Sequence, residues 1–156
     1  MSNLTFGERH IVRGLDAVAD AFSGTVYSDV VKMSGYHAAR FILHKAAGAL
    51  GTSTITVEAC DDATGANPVA LPFYYQAYAG ADDVPSDVAA ATAAGFATTA
   101  GANQLYVVEV ESQRMGDKSW LRLKAVEVVN DPVLGGVLVE LLKPRFASQV
   151  PLTAIA

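Results

Sequence analysis

The clearest pattern in the chain is a strict alternation of apolar and polar residues, which is typical of strands with one buried face. In residues 53–60, Ile55, Val57 and Ala59 fall on one face, while threonines and a glutamate fall on the other. The same alternation occurs in three further segments, residues 105–111, 120–129 and 137–142. These segments are predicted to be long strands of a sheet protein.

Weaker strand signals fill much of the remaining chain. Residues 25–33 and 38–44 are predicted to form a hairpin, because Gly35 between them tolerates a positive φ. Residues 71–79 are rich in aromatic residues and start beside two prolines, which favours the end of a strand or a sheet edge. Short strands separated by turns rich in Asp, Gly, Asn and Pro predict an all-β, single-domain β-sandwich that is jelly-roll-like.

Two segments leave alternatives open. Residues 11–22 carry apolar side chains at helical spacing but include Gly14, so they form either a short helix or an extended arm. Residues 88–101 are alanine-rich, and a short helix or an ordered loop fits them equally well. We therefore predict three parts with at most one or two short helices: an N-terminal arm or short helix over 1–24, a β-sandwich domain over 25–142 and a C-terminal tail over 143–156.

Composition narrows the classes of partner. Only 17% of the 156 residues are charged, against roughly 25% in an average soluble domain, and the mean hydropathy is +0.28. No stretch approaches the ~18 consecutive apolar residues of a spanning helix, and residues 1–10 lack the apolar core of a secretory signal. We therefore expect no membrane partner. Because the sequence pI is near 5.0 and the basic residues are scattered, we also expect no direct nucleic-acid partner.

The candidate chemical groups are weak. The chain lacks the common catalytic and nucleotide-binding motifs. His37 and His44 are seven residues apart, so on one strand they point to opposite faces and cannot share a metal. Glu109 and Glu111 share a face roughly 6–7 Å apart, which overlaps the carboxylate separation of glycosidases, but exposed neighbouring carboxylates are usually just solvated. We predict no enzymatic activity, no metal and no cofactor.

Acidic turns and the single cysteine also favour structural roles. The pairs Asp61–Asp62 and Asp82–Asp83 could supply oxygen ligands to Ca²⁺, but their spacing differs from that of a calcium loop. Aspartate is a preferred turn residue in its own right, and the turn interpretation is favoured. Cys60 has no histidine or cationic neighbour in sequence, so it is expected to be a small buried hydrophobic residue.

Aromatic and apolar residues give the candidate contact residues. In a strand over 71–79, Tyr74 and Tyr78 share one face while Phe73 and Tyr75 share the other. Such a strand either packs within the core on both faces or uses one face for another subunit, where tyrosine is enriched. The candidate subunit or capsid contacts are these two tyrosines and the apolar residues of the N-terminal segment: Phe6, Ile11, Val12, Leu15, Phe22, Tyr74 and Tyr78.

Four runs of the chain resemble a family of small virion structural proteins of tailed bacteriophages. The runs are GTVYSDVV (24–31), TITVEACDD (54–62), AAGFATTAG (93–101) and RLKAVEVVNDPVLGG (122–136). The resemblance implies a capsid decoration or cement protein that is made in the cytoplasm of the host bacterium and sits on the capsid exterior of the virion. It also implies the major capsid protein as partner, and a homotrimer or other homo-oligomer, since capsid lattices offer threefold positions.

Two other functions are compatible with the same scaffold. Within virion assembly, the alternative is a structural protein of the tail or of the head–tail joint. From a different class, the alternative is a carbohydrate-binding or host-adhesion module, because β-sandwiches also support those functions. A decoration protein is expected to bury a face and its arms against capsid subunits, whereas an adhesin is expected to expose a groove lined by aromatic residues.

Overall fold

Alternating segments of the chain form twelve strands in the computed structural model, which describes residues 8–46, 50–78 and 84–146. The strands are β1 (Arg9–Val18), β2 (Thr25–Tyr27), β3 (Val31–Lys32), β4 (Tyr36–Lys45), β5 (Thr52–Cys60), β6 (Val69–Leu71), β7 (Phe73–Tyr78), β8 (Ala89–Ala91), β9 (Phe96–Ala97), β10 (Gln104–Glu111), β11 (Trp120–Val129) and β12 (Gly135–Pro144). One 3-10 turn spans Ser112–Met115, and the described ranges contain no α-helix.

The strands form two antiparallel sheets that pack as a sandwich. Sheet A has the order β1-β12-β4-β10-β7-β8. Sheet B has the order β2-β11-β5-β6, with β3 also paired to β11 and β9 also paired to β5. Most connections carry the chain from one sheet to the other. The strands β1-β12-β4-β10 of sheet A therefore lie over β2/β3-β11-β5-β9 of sheet B, which is the strand order of a jelly roll. The short strand β6 extends sheet B, and β7 and β8 extend sheet A. The predicted all-β sandwich is confirmed.

The core lies between the inner faces of the two sheets, where the predicted alternation places apolar side chains. From sheet A it contains Phe41, Leu43 and Val108, and from sheet B it contains Ile55 and Leu123, all of them almost fully buried. Each such side chain contributes on the order of 1.5–3 kcal/mol through burial. The four segments with the clearest alternation are β5, β10, β11 and β12, close to their predicted bounds.

The predicted hairpin of residues 25–33 with 38–44 is wrong. The first segment is split into β2 and β3, which both pair with β11 in sheet B, while β4 pairs with β12 and β10 in sheet A. The turn at Ser34 and Gly35 therefore carries the chain from one sheet to the other. Between β2 and β3, Ser28 bonds to Leu123, with its backbone N–H donating to the Leu123 carbonyl at 2.9 Å and its hydroxyl accepting from the Leu123 N–H at 2.9 Å.

Residues 9–18 of the N-terminal segment are extended and not helical, so the alternative of a short helix is wrong there. These residues form β1, which pairs antiparallel with β12 from Arg9 to Val18, with register shifts after Arg13 and after Leu15. Helical spacing of a few apolar residues was a misleading signal, because a ten-residue backbone can satisfy its hydrogen bonds along a neighbouring strand. Residues 1–7 of the predicted arm lie outside the described residues.

The alanine-rich segment 88–101 contains no helix either. Its two short strands lie in different sheets, since β8 pairs with β7 and β9 pairs with β5. Gly95 turns the chain between them with a φ of +79°, and its N–H donates to the Thr92 carbonyl at 2.9 Å. The crossing places Phe96 in the core, stacked at 3.9 Å between ring centroids on Tyr75.

The predicted edge strand and tail are both modified. Residues 69–71 and 73–78 belong to different sheets as β6 and β7, and only the three-residue β8 covers the outer side of β7. At the C-terminus, β12 extends to Pro144, inside the predicted tail, and the Arg145 N–H donates to the Gly35 carbonyl at 2.9 Å. The remainder of the predicted tail, residues 147–156, lies outside the described residues.

Candidate functional site

The outer face of sheet A, which points away from the core, carries two adjacent rows of side chains from five neighbouring strands. Cross-strand register defines the rows, because directly opposed residues of antiparallel strands share a face. The first row is Ile11, Glu140, Arg40, Glu109 and Tyr74, and the second is Arg13, Leu138, Ile42, Val107 and Gln76. We call these two rows, together with Arg9 and Tyr78 beside them, the sheet A surface.

The first row is a ladder of ion pairs. Arg40 donates from Nε to Glu109 at 2.6 Å, and its guanidinium lies 3.9 Å from Glu140. Arg9 donates to the other oxygen of Glu140 at 2.9 Å. Two arginines thus cover Glu140, which is only 6% exposed although it points away from the core. Since two positive and two negative charges neutralise one another within the ladder, a partner could cover it without leaving a charge unpaired.

The second row is largely apolar at its centre. Leu138 is 46% exposed, and Ile42 and Val107 beside it are half-buried. Ile11, in the first row but on the edge strand, is 58% exposed. These side chains lie on adjacent strands and not singly across the molecule, so they form an apolar band that water contacts. Contiguous exposed apolar surface of this kind is a recognised mark of interaction sites.

Two hollows lie along this surface and share Ile42. The hollow over β7 and β10 has a volume of about 510 Å³ and is lined by Tyr74, Gln76, Tyr78 and Glu109 among others. The hollow over β1 and β12 has a volume of about 430 Å³ and is lined mainly by apolar groups, including Leu138 and Leu134. The outer face of sheet A thus carries a ligand-sized hollow at each end.

The predicted contact residues separate into three groups. Ile11, Tyr74 and Tyr78 lie on the sheet A surface, with Tyr74 44% exposed. Val12 and Leu15 are half-buried and pack against the core, and Leu15 also lines the hollow over β1 and β12. Phe22 is 4% exposed and belongs to the core itself. Phe6 lies outside the described residues. Burial removes Phe22 from the surface because the segment after β1 turns inward between the sheets.

Both faces of β7 are aromatic, and the structure shows what each face contacts. Phe73 and Tyr75 point inward and contact Phe96. Tyr74 points outward, where the Arg114 guanidinium lies 5.0 Å from its ring centroid and donates to its hydroxyl at 3.3 Å. The inner pair is therefore core, while the exposed Tyr74 shows that the alternative of core packing on both faces is wrong. Contact of the outer face with another subunit stays a prediction.

The acidic turn at Asp61 and Asp62 is stabilised by hydrogen bonds of the turn itself. Asp62 accepts from the Thr64 hydroxyl at 2.7 Å and from two backbone N–H groups, and these bonds lower its pKa. Asp61 accepts from the Lys118 ammonium and from Asn67, and the Lys118 bond is the main cause of its lowered pKa. The second acidic turn, Asp82–Asp83, lies outside the described residues.

No group of three or more metal-ligating side chains occurs within residues 8–46, 50–78 and 84–146. His37 and His44 are both exposed and lie on strand positions of opposite parity, as their spacing predicts. Cys60 is fully buried, which confirms the predicted burial, and burial raises the pKa of its thiol. Glu109, one of the two strand carboxylates considered for catalysis, is occupied by the ion pair with Arg40.

Sequence analysis missed a second polar feature, the buried ammonium of Lys45. Its Nζ donates to the carbonyls of Gly51 at 2.9 Å and Thr99 at 2.8 Å, while burial lowers its pKa. The sequence contained this information, because Lys45 is two residues after Leu43 and four after Phe41 on one strand. The three side chains therefore share the inward face of β4. The residue joins two loops at one end of the sandwich and has a structural role.

The outer face of sheet B was also missed as an organised surface. Glu58 accepts from Arg122 at 2.8 Å and lies 3.5 Å from Lys124, and the Arg122 guanidinium stands 4.1 Å from the Tyr27 ring centroid. These groups satisfy one another across β2, β11 and β5. The face is consequently more polar than the sheet A surface and has no comparable apolar band among its described residues.

No protein-family model, no curated protein and no solved structure matches the chain. None of the helical segments in the described ranges is long and apolar enough to cross a bilayer. Of the two outer faces, only that of sheet A carries an apolar band beside its paired charges among the described residues.

Proposed function

We propose that the chain is a structural capsid decoration protein, or cement protein, which binds the outside of the head lattice of a tailed bacteriophage and stabilises it. Its partner is the major capsid protein, and it binds as a homotrimer or other homo-oligomer. It contacts no nucleic acid and no membrane, and it has no catalytic role. The protein is made in the host cytoplasm and carried on the virion exterior.

One observation supports this proposal above the others, which is the composition of the sheet A surface. A protein that cements a shell needs a broad face that becomes buried against protein, and it needs no enclosed pocket. Each ~100 Å² of apolar surface that is covered contributes on the order of 2.5 kcal/mol before the costs of association. The band of Leu138, Ile42 and Val107 supplies such surface, and the adjacent ion-pair ladder can be buried as a neutral unit.

The test uses heads made by a phage from which the gene for this chain has been deleted. Purified chain is added to those heads, and the bound amount is measured by co-sedimentation. We expect saturable binding, and a loss of roughly tenfold or more in affinity for Leu138→Asp, because the new carboxylate must be desolvated within the contact. The matched control is Val128→Asp, which changes an exposed valine on sheet B and is expected to leave binding unchanged.

Three results would contradict the proposal. The first is an absence of binding by the wild-type chain, and the second is equal binding by Leu138→Asp. The third is localisation of the chain to the tail or to the head–tail joint in a reconstruction of the virion, which would favour the alternative role in tail assembly.

A second candidate, a carbohydrate-binding module, is favoured by one observation. The hollow over β7 and β10 presents the rings of Tyr74 and Tyr78 beside the amide of Gln76 and the carboxylate of Glu109. Aromatic faces with a few convergent polar groups are common in sites for small polar ligands. Titration of the chain with bacterial surface polysaccharide fragments, compared with Tyr74→Ala, tests this candidate, and saturable binding that the substitution abolishes would favour it over the decoration role.

A further inference from the structure

The sandwich has four sheet edges, and they differ sharply in length. The edge strands of sheet B are β2 and β3 on one side and β6 and β9 on the other, each of two or three residues. One edge of sheet A is β8, with three residues, but the opposite edge is β1, with ten. Natural sheets commonly use very short edge strands to prevent pairing with other chains, and β1 does not follow that pattern.

The open part of β1 is its first half. From Arg9 to Arg13 the pairing with β12 has no register shift, and no other strand within the described residues pairs with its outer side. Beyond Arg13 the register shifts twice, and the Gly14 carbonyl accepts from the Asp29 N–H at 2.6 Å. In an antiparallel pair, alternate residues turn their backbone N–H and C=O groups away from the partner strand. Residues 9–13 therefore offer backbone groups to an added strand.

The side chains of this half-strand indicate which kind of strand can pair with it. On the outer face the order is Arg9, Ile11, Arg13, that is cation, apolar, cation. Arg13 is the more available of the two charges, because its side chain is 82% exposed and its pair with Asp16 at 3.3 Å is a weak surface contact. A second copy paired about Ile11 by a twofold axis would put Arg9 opposite Arg13 twice, so self-pairing is disfavoured.

We propose that residues 9–13 of β1 bind an extended segment of the capsid subunit as an additional strand of sheet A, and that the segment places an apolar side chain opposite Ile11 and an acidic side chain opposite Arg13. This inference rests on the proposed function and names the part of the molecule that makes the backbone contacts. The added strand lies next to the sheet A surface, so strand pairing and the apolar band of Leu138 form one continuous contact.

The experiment measures amide hydrogen exchange of residues 9–13 in the free chain and in the chain bound to heads that lack it. In the free chain, the amides directed away from β12 are expected to exchange quickly, and binding is expected to slow them. Slow exchange of all these amides in the free chain would show that another part of this chain already covers the edge, and it would overturn the proposal. So would unchanged exchange in the bound chain.

Charge reversal supplies an independent measurement. Arg13→Glu is expected to weaken binding to heads about tenfold, because the attractive cross-strand contact of Arg13 becomes repulsive, and Arg13→Lys is expected to retain most of the affinity. The control is Lys32→Glu, which reverses an exposed cation on sheet B and is expected to bind like the wild type. Thermal melts of the free variants confirm that each is folded.

The outcomes separate the two proposals. Wild-type chain that fails to bind heads contradicts the decoration function. If the wild-type chain binds heads and Arg13→Glu binds them equally well, only the strand-pairing inference is contradicted. A concentration-dependent dimer that Arg13→Glu strengthens, because the two Arg9–Arg13 contacts of a self-paired edge become attractive, would assign the edge to a second copy and would also overturn the inference.

Discussion

Cys60 links burial at a single residue to the pH dependence of stability. Burial is the main cause of its raised pKa, which lies above the ordinary value of 9.0, and the nearby Arg122 guanidinium opposes the shift. In the unfolded chain the thiol therefore loses its proton first, so the folded state binds more protons in this range. The free energy of unfolding must then fall as the pH rises above about 9.

We predict that Cys60→Ala reduces this alkaline loss of stability. Denaturant unfolding of both proteins under reducing conditions, at about pH 7.5 and about pH 10, gives the loss for each. Lys45 and Tyr36 also have shifted pKa values, but they titrate in both proteins, so their effects cancel in the difference. Equal losses in the wild type and Cys60→Ala would contradict the prediction.

Gly95 and Gly24 separate two effects of a positive φ. Both have φ in the left-handed region, at +79° and +66°. A Cβ at Gly95 would overlap the Ile55 carbonyl oxygen, whereas a Cβ at Gly24 would meet no atom within 4 Å. Gly24→Ala is expected to cost about 1–2 kcal/mol from backbone strain alone, and Gly95→Ala is expected to cost clearly more. Chemical denaturation measures the loss in free energy of unfolding for both variants. Similar losses would contradict the prediction, because they would show that β5 moves away from the new Cβ at little cost.

At the scale of elements, β1 changes what a deletion experiment reports. Removing residues 1–22 removes an edge strand that pairs with β12 from Gly135 to Leu142, and it also removes Phe22 from the core. We predict that this deletion lowers the melting temperature strongly or abolishes cooperative unfolding, whereas a deletion of residues 1–8 keeps all twelve strands and a cooperative transition. Circular dichroism melts test this, and an unchanged melt after removal of 1–22 would contradict it. Loss of capsid binding by the longer deletion therefore cannot identify a contact arm.

The sequence predicted which segments are strands better than it predicted which strands are neighbours. Alternation located β5, β10, β11 and β12, because burying one face leaves a local signal at every second residue. Pairing is not local, and so the apparent hairpin at Gly35 proved to be a change of sheet. For the segment around Leu15 the sequence left a short helix and an extended arm open for the same reason, since the hydrogen-bond partner of this segment, β12, lies more than a hundred residues away.

The candidate site shows the same division between local and distant information. Tyr74 and Tyr78 were assigned correctly to one face of a strand from their spacing alone. The ion-pair ladder of Arg9, Glu140, Arg40 and Glu109 joins four strands that are far apart in sequence, so no single segment indicates it. Spacing alone places Leu138 on the same face as Glu140, but only the register shows that Ile42 and Arg13 lie beside it.

At the scale of the whole molecule, the low charge content has a structural explanation in part. Most apolar side chains of the long strands fill the space between the two sheets, and several of the few charges are consumed in ion pairs on the outer faces. Among the apolar groups that remain exposed, Ile11, Leu138 and Tyr74 lie together on the same face of sheet A, whereas Val69 and Val128 on sheet B are separated by β5. That asymmetry makes one face of the molecule the natural choice for contact with a lattice.

A decoration protein that stabilises a shell is expected to raise the temperature at which the shell opens, which a binding measurement alone does not show. A protein that binds the assembled lattice but not the dissociated subunits stabilises the lattice by an amount that grows with its free concentration, about 2.7 kcal/mol per site at a hundredfold excess over Kd. We therefore predict that heads lacking this chain release their DNA at a higher temperature as purified chain is added. The release temperature is expected to reach a plateau when the binding sites are filled. Dye accessibility of the DNA during heating measures that temperature. Leu138→Asp should leave the release temperature unchanged at concentrations where Val128→Asp raises it fully. If heads saturated with the wild-type chain also keep an unchanged release temperature, the chain binds the lattice without stabilising it.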